Sequence, residues 1–450
     1  MEKESTQELQ IAARAKKFNK EALTNLNQFI DEGLLTMSFQ NLNKYSSSGV
    51  DKQTWFDYGI LSPVRIPELL KEFKSGNYKA PNIRRVYIPK GKTGKRPLGI
   101  PTIEDKVLQS SVMRVLEPVY EEIFKDFSYG FRPKRSCHQA IEFMFKKVSF
   151  EGMRYLIDAD IQDYFGSINH GLLREFLDFR VKDGVIRKMV DKWLKAGIME
   201  DGQLTYPEEG TPQGGIISPL LSNIYLHYVL DEWFSETIQP LMKGRSFIVR
   251  YADDFVLGFE LQEDAKRVME VLPKRFAKYK LVLHPEKTRI VDLNNSDRGN
   301  RSFDFVGFSH YMGKTRKGKY VLMRKTSSKK LTIAIDKIGD WIKTNRHRKL
   351  KELIFELNRK IRGHYSYYGV TFNMQGIYKF YRQVEILLHK WINRRGGKQV
   401  WYWDKYVKLV NEWTPLLKPK IYHSFCSANP RQEEPYAGKL LVRDCRGAVR

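Results

Sequence analysis

The chain is poor in cysteine and has no long apolar run. Only three cysteines occur among 450 residues, and the spacing of Cys137, Cys426 and Cys445 matches no metal-ligand pattern. The sequence therefore predicts neither a disulfide framework nor a zinc module, and such cysteine usage is typical of a reducing compartment. No run of about 18 apolar residues indicates a membrane span.

The N-terminus also lacks the marks of a targeting segment. Glu2, Glu4 and Glu8 interrupt it, so it has neither the apolar core of a signal peptide nor the acid-poor character of a transit peptide. We therefore expect a soluble, cytoplasmic protein. Its length suffices for a large core divided into two or three domains.

Acidic residues are outnumbered by basic ones. Seventy-eight Lys and Arg stand against 52 Asp and Glu, which gives a net charge of +26, and 13% of residues are aromatic. Residues 313–363 alone hold 17 Lys and Arg against 4 Asp and Glu, a net charge of +13. A generally basic enzyme would spread its charge more evenly, so we expect a polyanionic substrate. The Lys and Arg side chains would contact its phosphates, and aromatic side chains would stack on its bases.

Two adjacent carboxylates lie between two short apolar runs. Asp253 and Asp254 separate Phe247–Val249 from Phe255–Leu257, a pattern that predicts a strand, a tight turn and a strand. An acidic turn that serves only solubility is the alternative. A divalent cation would relieve the repulsion between neighbouring carboxylates, and Mg²⁺ prefers one or two carboxylates completed by substrate phosphates.

A second acidic pair lies in an apolar segment about ninety residues upstream. In a strand, Asp158 and Asp160 share one face while Ile157, Ala159 and Ile161 face the other way. An edge strand with a solvated face is the alternative. The functional interpretation is that Asp160 meets the acidic turn and completes a two-metal site, with cations about 4 Å apart, for nucleotidyl transfer.

Two glycine-rich loops are candidates for substrate contact. Residues 84–102 predict a strand, a basic turn and a strand, in which Lys90 and Arg96 match the charge of a triphosphate. Gln213 stands beside two glycines in residues 210–223, before an apolar helix. A solvated hairpin and a plain helix-entry loop are the alternatives. Helical spacing elsewhere, as in residues 107–124, predicts an α+β core.

Five phrases in order resemble the group II intron-encoded reverse transcriptases and their bacterial relatives. They are Arg96-Pro97-Leu98-Gly99-Ile100-Pro101-Thr102, Ser128-Tyr129-Gly130-Phe131-Arg132-Pro133, Thr211-Pro212-Gln213-Gly214-Gly215 with Ser218-Pro219-Leu220-Leu221-Ser222-Asn223, Arg250-Tyr251-Ala252-Asp253-Asp254, and Phe305-Val306-Gly307-Phe308. A later segment, 357–368, is similar to the signature of the thumb or X domain of that family.

The resemblance implies a right-hand polymerase with an antiparallel palm sheet, fingers and a helical thumb. The expected domains are residues 1–62 (N-terminal extension and start of the fingers), 63–312 (fingers and palm), 313–395 (thumb or X domain) and 396–450 (a basic and aromatic tail). Family members that cleave target DNA carry a C-terminal nuclease domain with paired cysteines. Such pairs are not found in this sequence, so the resemblance implies that the primer is an existing nick or replication-fork end.

The resemblance also implies roles for individual residues. Asp160, Asp253 and Asp254 are the expected catalytic metal ligands, with the Ile161 carbonyl as a further ligand and Asp158 behind them. Phe165 matches the gate that excludes a ribose 2′-hydroxyl. The residues expected to contact the nucleotide are Lys90, Arg96, Asp163, Tyr164, Gln213 and Lys287. The expected primer grip consists of Phe305, Val306, Gly307 and Phe308. The residues expected to contact nucleic acid are Arg132, Arg359, Arg362 and Tyr365.

The expected activity is RNA-directed DNA synthesis with two Mg²⁺ ions, for which Mn²⁺ would substitute. The expected partners are an RNA template, a DNA or RNA primer, deoxynucleoside triphosphates and a structured intron RNA whose splicing and retrohoming the protein assists, in a bacterial cytoplasm. Two alternatives stay open. One is an RNA-binding maturase with secondary polymerase activity, and the other is a related polymerase recruited to host defence or repair.

Overall fold

The computed structural model describes residues 6–90, 94–200, 203–206, 208–211, 214–294, 302–395, 402–412 and 415–425. Within these residues the helices are α1 (Thr6–Lys17), α2 (Glu32–Asn41), α3 (Trp55–Ser75), α4 (Ile103–Glu121), α5 (Cys137–Phe150), α6 (His170–Asp178), α7 (Gly184–Leu194), α8 (Ser218–Leu226), α9 (Gln262–Lys278), α10 (Ser328–Asn345), α11 (Leu350–Tyr368), α12 (Met374–Ile392) and α13 (Trp403–Glu412). None of the described helices is long and apolar enough to cross a membrane.

The strands form three sheets. They are β1 (Ile83–Lys90), β2 (Gly94–Ile100), β3 (Tyr155–Ala159), β4 (Ile198–Glu200), β5 (Gln203–Thr205), β6 (Ser246–Tyr251), β7 (Asp254–Phe259), β8 (Arg289–Asp292), β9 (Ser302–Phe305), β10 (Phe308–Lys314) and β11 (Tyr320–Thr326). The strand orders are β2-β1-β4-β5, β6-β7-β3-β8 and β11-β10-β9. Antiparallel pairs predominate, with β1 and β4 parallel, so the predicted α+β class with an antiparallel palm sheet is confirmed.

The sheet β6-β7-β3-β8, here called the central sheet, is buried on both faces. Along β7, Phe255 and Leu257 face a core that includes α8 and α9, whereas Val256 faces a second core with α5 and the sheet β9–β11. Strands buried on both sides read as continuous apolar runs, which explains the unbroken hydrophobicity of β6 and β7. The acidic residues at their ends are therefore held on a rigid support.

The hairpin of β1 and β2, here called the lid hairpin, lies at the edge of another sheet. Its register pairs Lys90 with Gly94 and Ile88 with Arg96, as the strand-turn-strand pattern predicts. Most residues near its tip are exposed, and β1 is anchored by its parallel pairing with β4. The hairpin therefore extends over solvent from a fixed base.

The helix before the lid hairpin, α3, begins at Trp55, ahead of the expected domain boundary after residue 62. Thr54 caps α3 in a reciprocal capping box with Asp57, and both Pro63 and Pro67 lie within the helix. The cap sets the start of the helix, so the expected domain boundary after residue 62 falls inside α3.

The C-terminal helices form a separate hydrophobic core. α10, α11 and α12 pack through residues such as Ile342, Leu357 and Val384, and Tyr406 of α13 and Leu416 join the same cluster. The expected boundary after residue 312 falls inside β10, which β9 and β11 hold in one sheet. Tyr406 and Leu416, which belong to the expected tail, thus pack with the helical domain, while the domain division itself stays a prediction.

Candidate active site

The acidic turn is the tight connection that its sequence predicts. Tyr251 pairs with Asp254 across β6 and β7, which leaves only Ala252 and Asp253 in the turn. Ala252 has a φ of 59°, in the left-handed region, and is buried. Gly130 packs directly against it, because a Cβ on Gly130 would lie 2.2 Å from the Ala252 nitrogen. The turn is therefore held from outside as well as by its own strands.

A buried arginine anchors the same turn from below. The Arg250 guanidinium pairs with Asp231 through Nε–Oδ1 at 2.8 Å and Nη2–Oδ2 at 2.5 Å, and both side chains are fully buried. Its Nη1 donates to Asn223 Oδ1 at 2.9 Å and to the Ala252 carbonyl at 3.0 Å. Asn223 in turn donates to the Gly130 carbonyl at 2.7 Å. This network fixes the turn rigidly, and the sequence pattern assigned no role to it.

Asp160 comes level with the acidic turn because β3 pairs with β7. The register joins Ala159 to Phe255, so Asp160 lies one residue beyond the strand, beside Asp254. Its backbone carbonyl accepts from the His284 amide at 2.7 Å, which fixes the chain at this point. Asp158 and Asp160 both line the cavity described below, as their shared face predicts.

Burial and the charges of neighbouring carboxylates make Asp158, Asp253 and Asp254 hard to ionise. Burial raises the pKa of Asp254 to about 7, and the charges of Asp158, Asp253 and Asp160 act in the same direction. Burial likewise raises the pKa of Asp253, which the Arg96 charge opposes. Burial also raises the pKa of Asp158 to about 7. A cation at this point would favour the ionised forms of all of them.

The donor set fits a hard divalent cation that shares its coordination with a substrate. Lys287 Nζ lies 2.5 Å from Asp160 Oδ2, so a positive charge already stands beside one of the three aspartates. Among the described residues, no three acidic, histidine or cysteine side chains converge as a closed metal site. Such an open set suits Mg²⁺, which usually takes one or two carboxylates and completes its shell with phosphates and water.

The aspartates form the floor of a cavity of about 1420 Å³. The lid hairpin borders it through Lys95 and Arg96, and Ile161, Phe165 and Lys287 line its sides. Lys90 ends β1, and its backbone pairs with Gly94. Its side chain and Gln213 lie outside the described part of the chain. The structure thus brings together the predicted Asp160, Ile161, Asp253, Asp254, Arg96, Phe165 and Lys287 around one space.

The segment after Ile161 lies along the cavity. Tyr164 is buried and its hydroxyl donates to the Ser222 carbonyl at 2.6 Å, so this hydroxyl is used within the fold, while a contact of Tyr164 with nucleotide stays a prediction. Asp163 is exposed at the cavity and has a φ of 41°. The Phe165 ring is half-buried in the cavity wall, and its carbonyl accepts from the Thr211 amide at 2.8 Å.

The predicted primer grip, Phe305 to Phe308, contains a turn between two buried aromatic rings. Phe305 and Phe308 lie in the core between β9, β10 and α5, so any contact with a primer would be made by the residues between them, and the grip itself stays a prediction. Between them, Val306 and Gly307 form a turn with φ values of 43° and 84°. The Val306 amide donates to Asp254 Oδ2 at 2.9 Å. The turn therefore touches the catalytic aspartate directly.

Two predicted nucleic-acid contacts are wrong because their side chains are buried. Arg132 forms a two-fold ion pair with Glu121 at 2.8 and 2.9 Å and donates to two backbone carbonyls, so its guanidinium is used within the fold. Tyr365 lies in the helical core, where its hydroxyl donates to the Leu417 carbonyl. Arg359 and Arg362 do lie on the exposed face of α11.

Phe131 is a cavity residue that the sequence pattern did not single out. Its ring is half exposed, it lines the cavity beside the lid hairpin, and its φ of 57° is strained for a bulky residue. In the segment Ser128–Pro133 the resemblance implies a role for Arg132. The residue of this segment that lines the cavity is Phe131, which has a left-handed backbone conformation.

A buried polar relay also holds the glycine-rich loop after Gln213. Asp105 accepts from Trp193 Nε1 at 2.7 Å and from Gln109 Nε2 at 2.8 Å. Gln109 Oε1 accepts from the Ile216 amide at 2.8 Å, just after the two glycines. Burial raises the pKa of Asp105 to about 6. The relay ties α4 and α7 to the loop that borders the cavity.

Comparison with known families matches two parts of the chain. The family described as "Reverse transcriptase (RNA-dependent DNA polymerase)" matches residues 88–310, and the family described as "Group II intron, maturase-specific domain" matches residues 331–408. The first match contains all three aspartates and the lid residues from Ile88 onward. The second contains α11 and α12 and most of α10.

Individual relatives agree with these matches. The "Group II intron-encoded protein LtrA" of Lactococcus lactis subsp. cremoris is 36% identical over 281 residues, which cover 61% of this chain and 45% of the relative. "Protein YkfC" of Escherichia coli (strain K12) is 34% identical over 323 residues, 63% of this chain and 80% of the relative. The "Putative COX1/OXI3 intron 2 protein" of Saccharomyces cerevisiae is 34% identical over 238 residues, which cover 53% of this chain and 26% of the relative. The chain thus spans about half the length of the first of them.

Proposed function

The chain belongs to the group II intron-encoded reverse transcriptase family, and from that premise we propose that it extends a primer with deoxynucleotides on an RNA template. The observation that carries the proposal is that Asp160, Asp253 and Asp254 line one cavity, which the basic lid hairpin also borders. In such a reaction the primer 3′-hydroxyl attacks the α-phosphorus of the nucleotide, and pyrophosphate leaves. RNA-templated primer extension by the purified protein is the test.

The three aspartates, with the Ile161 carbonyl, would hold the cations. Two Mg²⁺ ions, or Mn²⁺ in their place, would increase the acidity of the primer hydroxyl and neutralise charge on the leaving pyrophosphate. The protein itself contributes orientation. Arg96 and Lys95 on the lid hairpin, together with Lys287, face the space in which a triphosphate would lie. Their side chains match its negative charge.

Each of the remaining cavity residues is expected to contact a different part of the substrates. Phe165 forms the wall at which we expect the sugar to lie, so a 2′-hydroxyl would meet its ring. The Val306–Gly307 turn presents backbone groups beside Asp254, where the primer terminus must arrive for attack. The lid hairpin, fixed at its base and exposed along its described outer residues, would cover the nucleotide and limit access of water.

The sugar gate gives a specific prediction. We expect Phe165→Ala to raise the efficiency of ribonucleotide incorporation relative to deoxynucleotide incorporation by about a hundredfold, because the ring that meets the 2′-hydroxyl is removed. Phe165→Tyr keeps the ring and should change the ratio only a few-fold. Single-nucleotide incorporation with each substrate measures it. Equal discrimination in the alanine variant and the parent would reject the assignment.

A second function, support of intron splicing, is favoured by the surface of the helical domain. α11 presents Arg359 and Arg362 to solvent, and Lys360 lies 4.9 Å from the ring of Trp341 on α10. Exposed arginines, with a cation beside a partly buried aromatic ring, suit an RNA backbone and its unstacked bases. We propose that this domain binds a structured intron RNA and that binding falls steeply as salt rises.

A splicing assay separates this function from polymerisation. With Asp254→Asn, we expect the protein to stimulate splicing of its own intron as well as the parent does, because the helical domain keeps its surface. Stimulation by neither protein would argue against the maturase function. Whether the reading frame lies within an intron or beside defence genes distinguishes retrohoming from a role in host defence or repair.

A further inference from the structure

Tyr367, near the end of α11, reaches from the helical domain into the catalytic region. Its hydroxyl donates to the Val306 carbonyl at 2.8 Å. Its ring stacks on Phe308 with a centroid separation of 5.9 Å and an interplanar angle of 11°. Its own carbonyl contacts His138 Nε2 at 2.8 Å. Tyr367 is therefore held by both β10 and α5, so its hydroxyl has a defined position.

The residue that Tyr367 holds is the one that contacts the catalytic aspartate. Val306 accepts from Tyr367 through its carbonyl and donates to Asp254 Oδ2, at 2.9 Å, through its amide. One residue thus connects a side chain of the helical domain to a carboxylate of the central sheet. The link spans three elements that are distant in sequence.

The turn that carries this link is strained. Val306 has a φ of 43°, a conformation that a β-branched residue adopts only at a steric cost, and Gly307 follows with a φ of 84°. Strained backbone persists only where surrounding contacts hold it. The Tyr367 hydroxyl on the Val306 carbonyl and the Ser327 amide on the Gly307 carbonyl, at 3.1 Å, are such contacts. Loss of the hydroxyl should let the turn relax away from Asp254.

We propose that Tyr367 is a positioning residue for nucleotidyl transfer, which acts through the Val306 peptide to orient the Asp254 carboxylate and the turn that meets the primer terminus. The inference rests on the proposed function and adds a consequence to it. The helical domain completes the geometry of the catalytic centre as well as gripping nucleic acid. Tyr367 itself touches no reacting atom.

The test compares two tyrosine variants that each lose one hydrogen bond to a backbone carbonyl. Tyr367→Phe removes the contact with Val306, whereas Tyr406→Phe removes a bond of 2.9 Å to the Glu385 carbonyl within the helical core. We expect Tyr367→Phe to lower kcat for single-nucleotide incorporation about tenfold, the usual scale for loss of one hydrogen bond. The KM for the nucleotide and the Kd for primer-template should change less than twofold, and Tyr406→Phe should leave all three unchanged.

Amide hydrogen exchange supplies a measurement that does not depend on activity. In Tyr367→Phe the peptide that contains Val306 should exchange faster, because its amide loses a fixed acceptor, while Tyr406→Phe leaves that peptide unchanged. Unchanged exchange, or a kcat equal to the parent's, would overturn the inference. A fall in primer-template affinity equal to the fall in kcat would also overturn it, since that pattern indicates a structural role. Inactivity of the parent would defeat the proposed function alone, and the exchange result would still decide the contact.

Discussion

Asp254→Asn is expected to lower the rate of RNA-templated primer extension by about a thousandfold or more while leaving the protein folded. The amide keeps the shape of the side chain but removes a charge on which a bound cation depends. The carboxylate lies beside Asp158, Asp253 and Asp160, and burial already raises its pKa to about 7. Removal of one charge relieves repulsion, so the thermal midpoint without metal should not fall. Primer extension and thermal unfolding measure the two effects.

The matched control for this substitution lies on the same sheet. Asp292→Asn changes a carboxylate at the end of β8, opposite Tyr155, far from the acidic turn along the strands. It should leave the extension rate within twofold of the parent's. Asp253→Asn should behave as Asp254→Asn does. Retention of more than a tenth of the activity in Asp254→Asn would remove the proposed site.

Arg250→Met is expected to destabilise the protein by about 3–5 kcal/mol. Both members of the Arg250–Asp231 pair are fully buried, so the substitution leaves an uncompensated carboxylate in the core. The Ala252 carbonyl in the acidic turn also loses its donor. Urea unfolding measures the first effect, and primer extension by the fraction that stays folded measures the second.

Two further variants isolate the buried pair. Arg245→Met removes an exposed arginine, just before β6, that pairs with Glu260 at 3.0 Å, and it should barely move the urea midpoint because exposed pairs contribute little. Arg250→Met with Asp231→Leu removes both buried charges, so it should recover much of the lost free energy of unfolding. Activity should stay low, since the turn still lacks its anchor. Equal instability of the single and double variants would contradict this explanation.

The positions of the aspartates in the cavity were largely predictable from the amino-acid sequence, because they depend on local sequence patterns. Period-two alternation predicted that Asp158, in β3, and Asp160, one residue beyond its end, lie on the same side of the chain, and two apolar runs around Asp253 and Asp254 predicted the hairpin. Strand pairing then brings the ends of β3 and β7 together. Local rules of this kind hold whatever packs around the sheet, as long as both faces are buried.

The errors arose where long-range packing decides what a side chain does. Arg132 is recruited by Glu121, and its neighbour Phe131 reaches the cavity through a left-handed backbone that no periodicity predicts. Tyr365 is of a residue type that often contacts nucleic acid, but its side chain lies on the buried face of α11. In the predicted primer grip, Phe305 and Phe308 are buried, and the backbone of Val306 contacts Asp254, a contact that the sequence does not predict.

The supports of the site were the least predictable part. The π-helical segments His227–Asp231 and Trp233–Ile238 bring Asp231 under Arg250, and a break in helical period is not visible in composition. The contact between Val306 and Asp254 joins residues 52 positions apart in the chain. Such contacts become visible only when the sheets are assembled, although they fix the geometry of residues that the sequence identifies.

The most direct measurement is the sequence of the product made on a heteropolymeric RNA. The purified protein, given a DNA primer annealed to that RNA, deoxynucleotides and Mg²⁺, is expected to yield DNA complementary to the template, and chelation of the metal should stop synthesis. Asp254→Asn under the same conditions should yield none. Absence of product from the parent protein, a product unrelated to the template, or equal synthesis by Asp254→Asn would contradict RNA-directed DNA synthesis at this site.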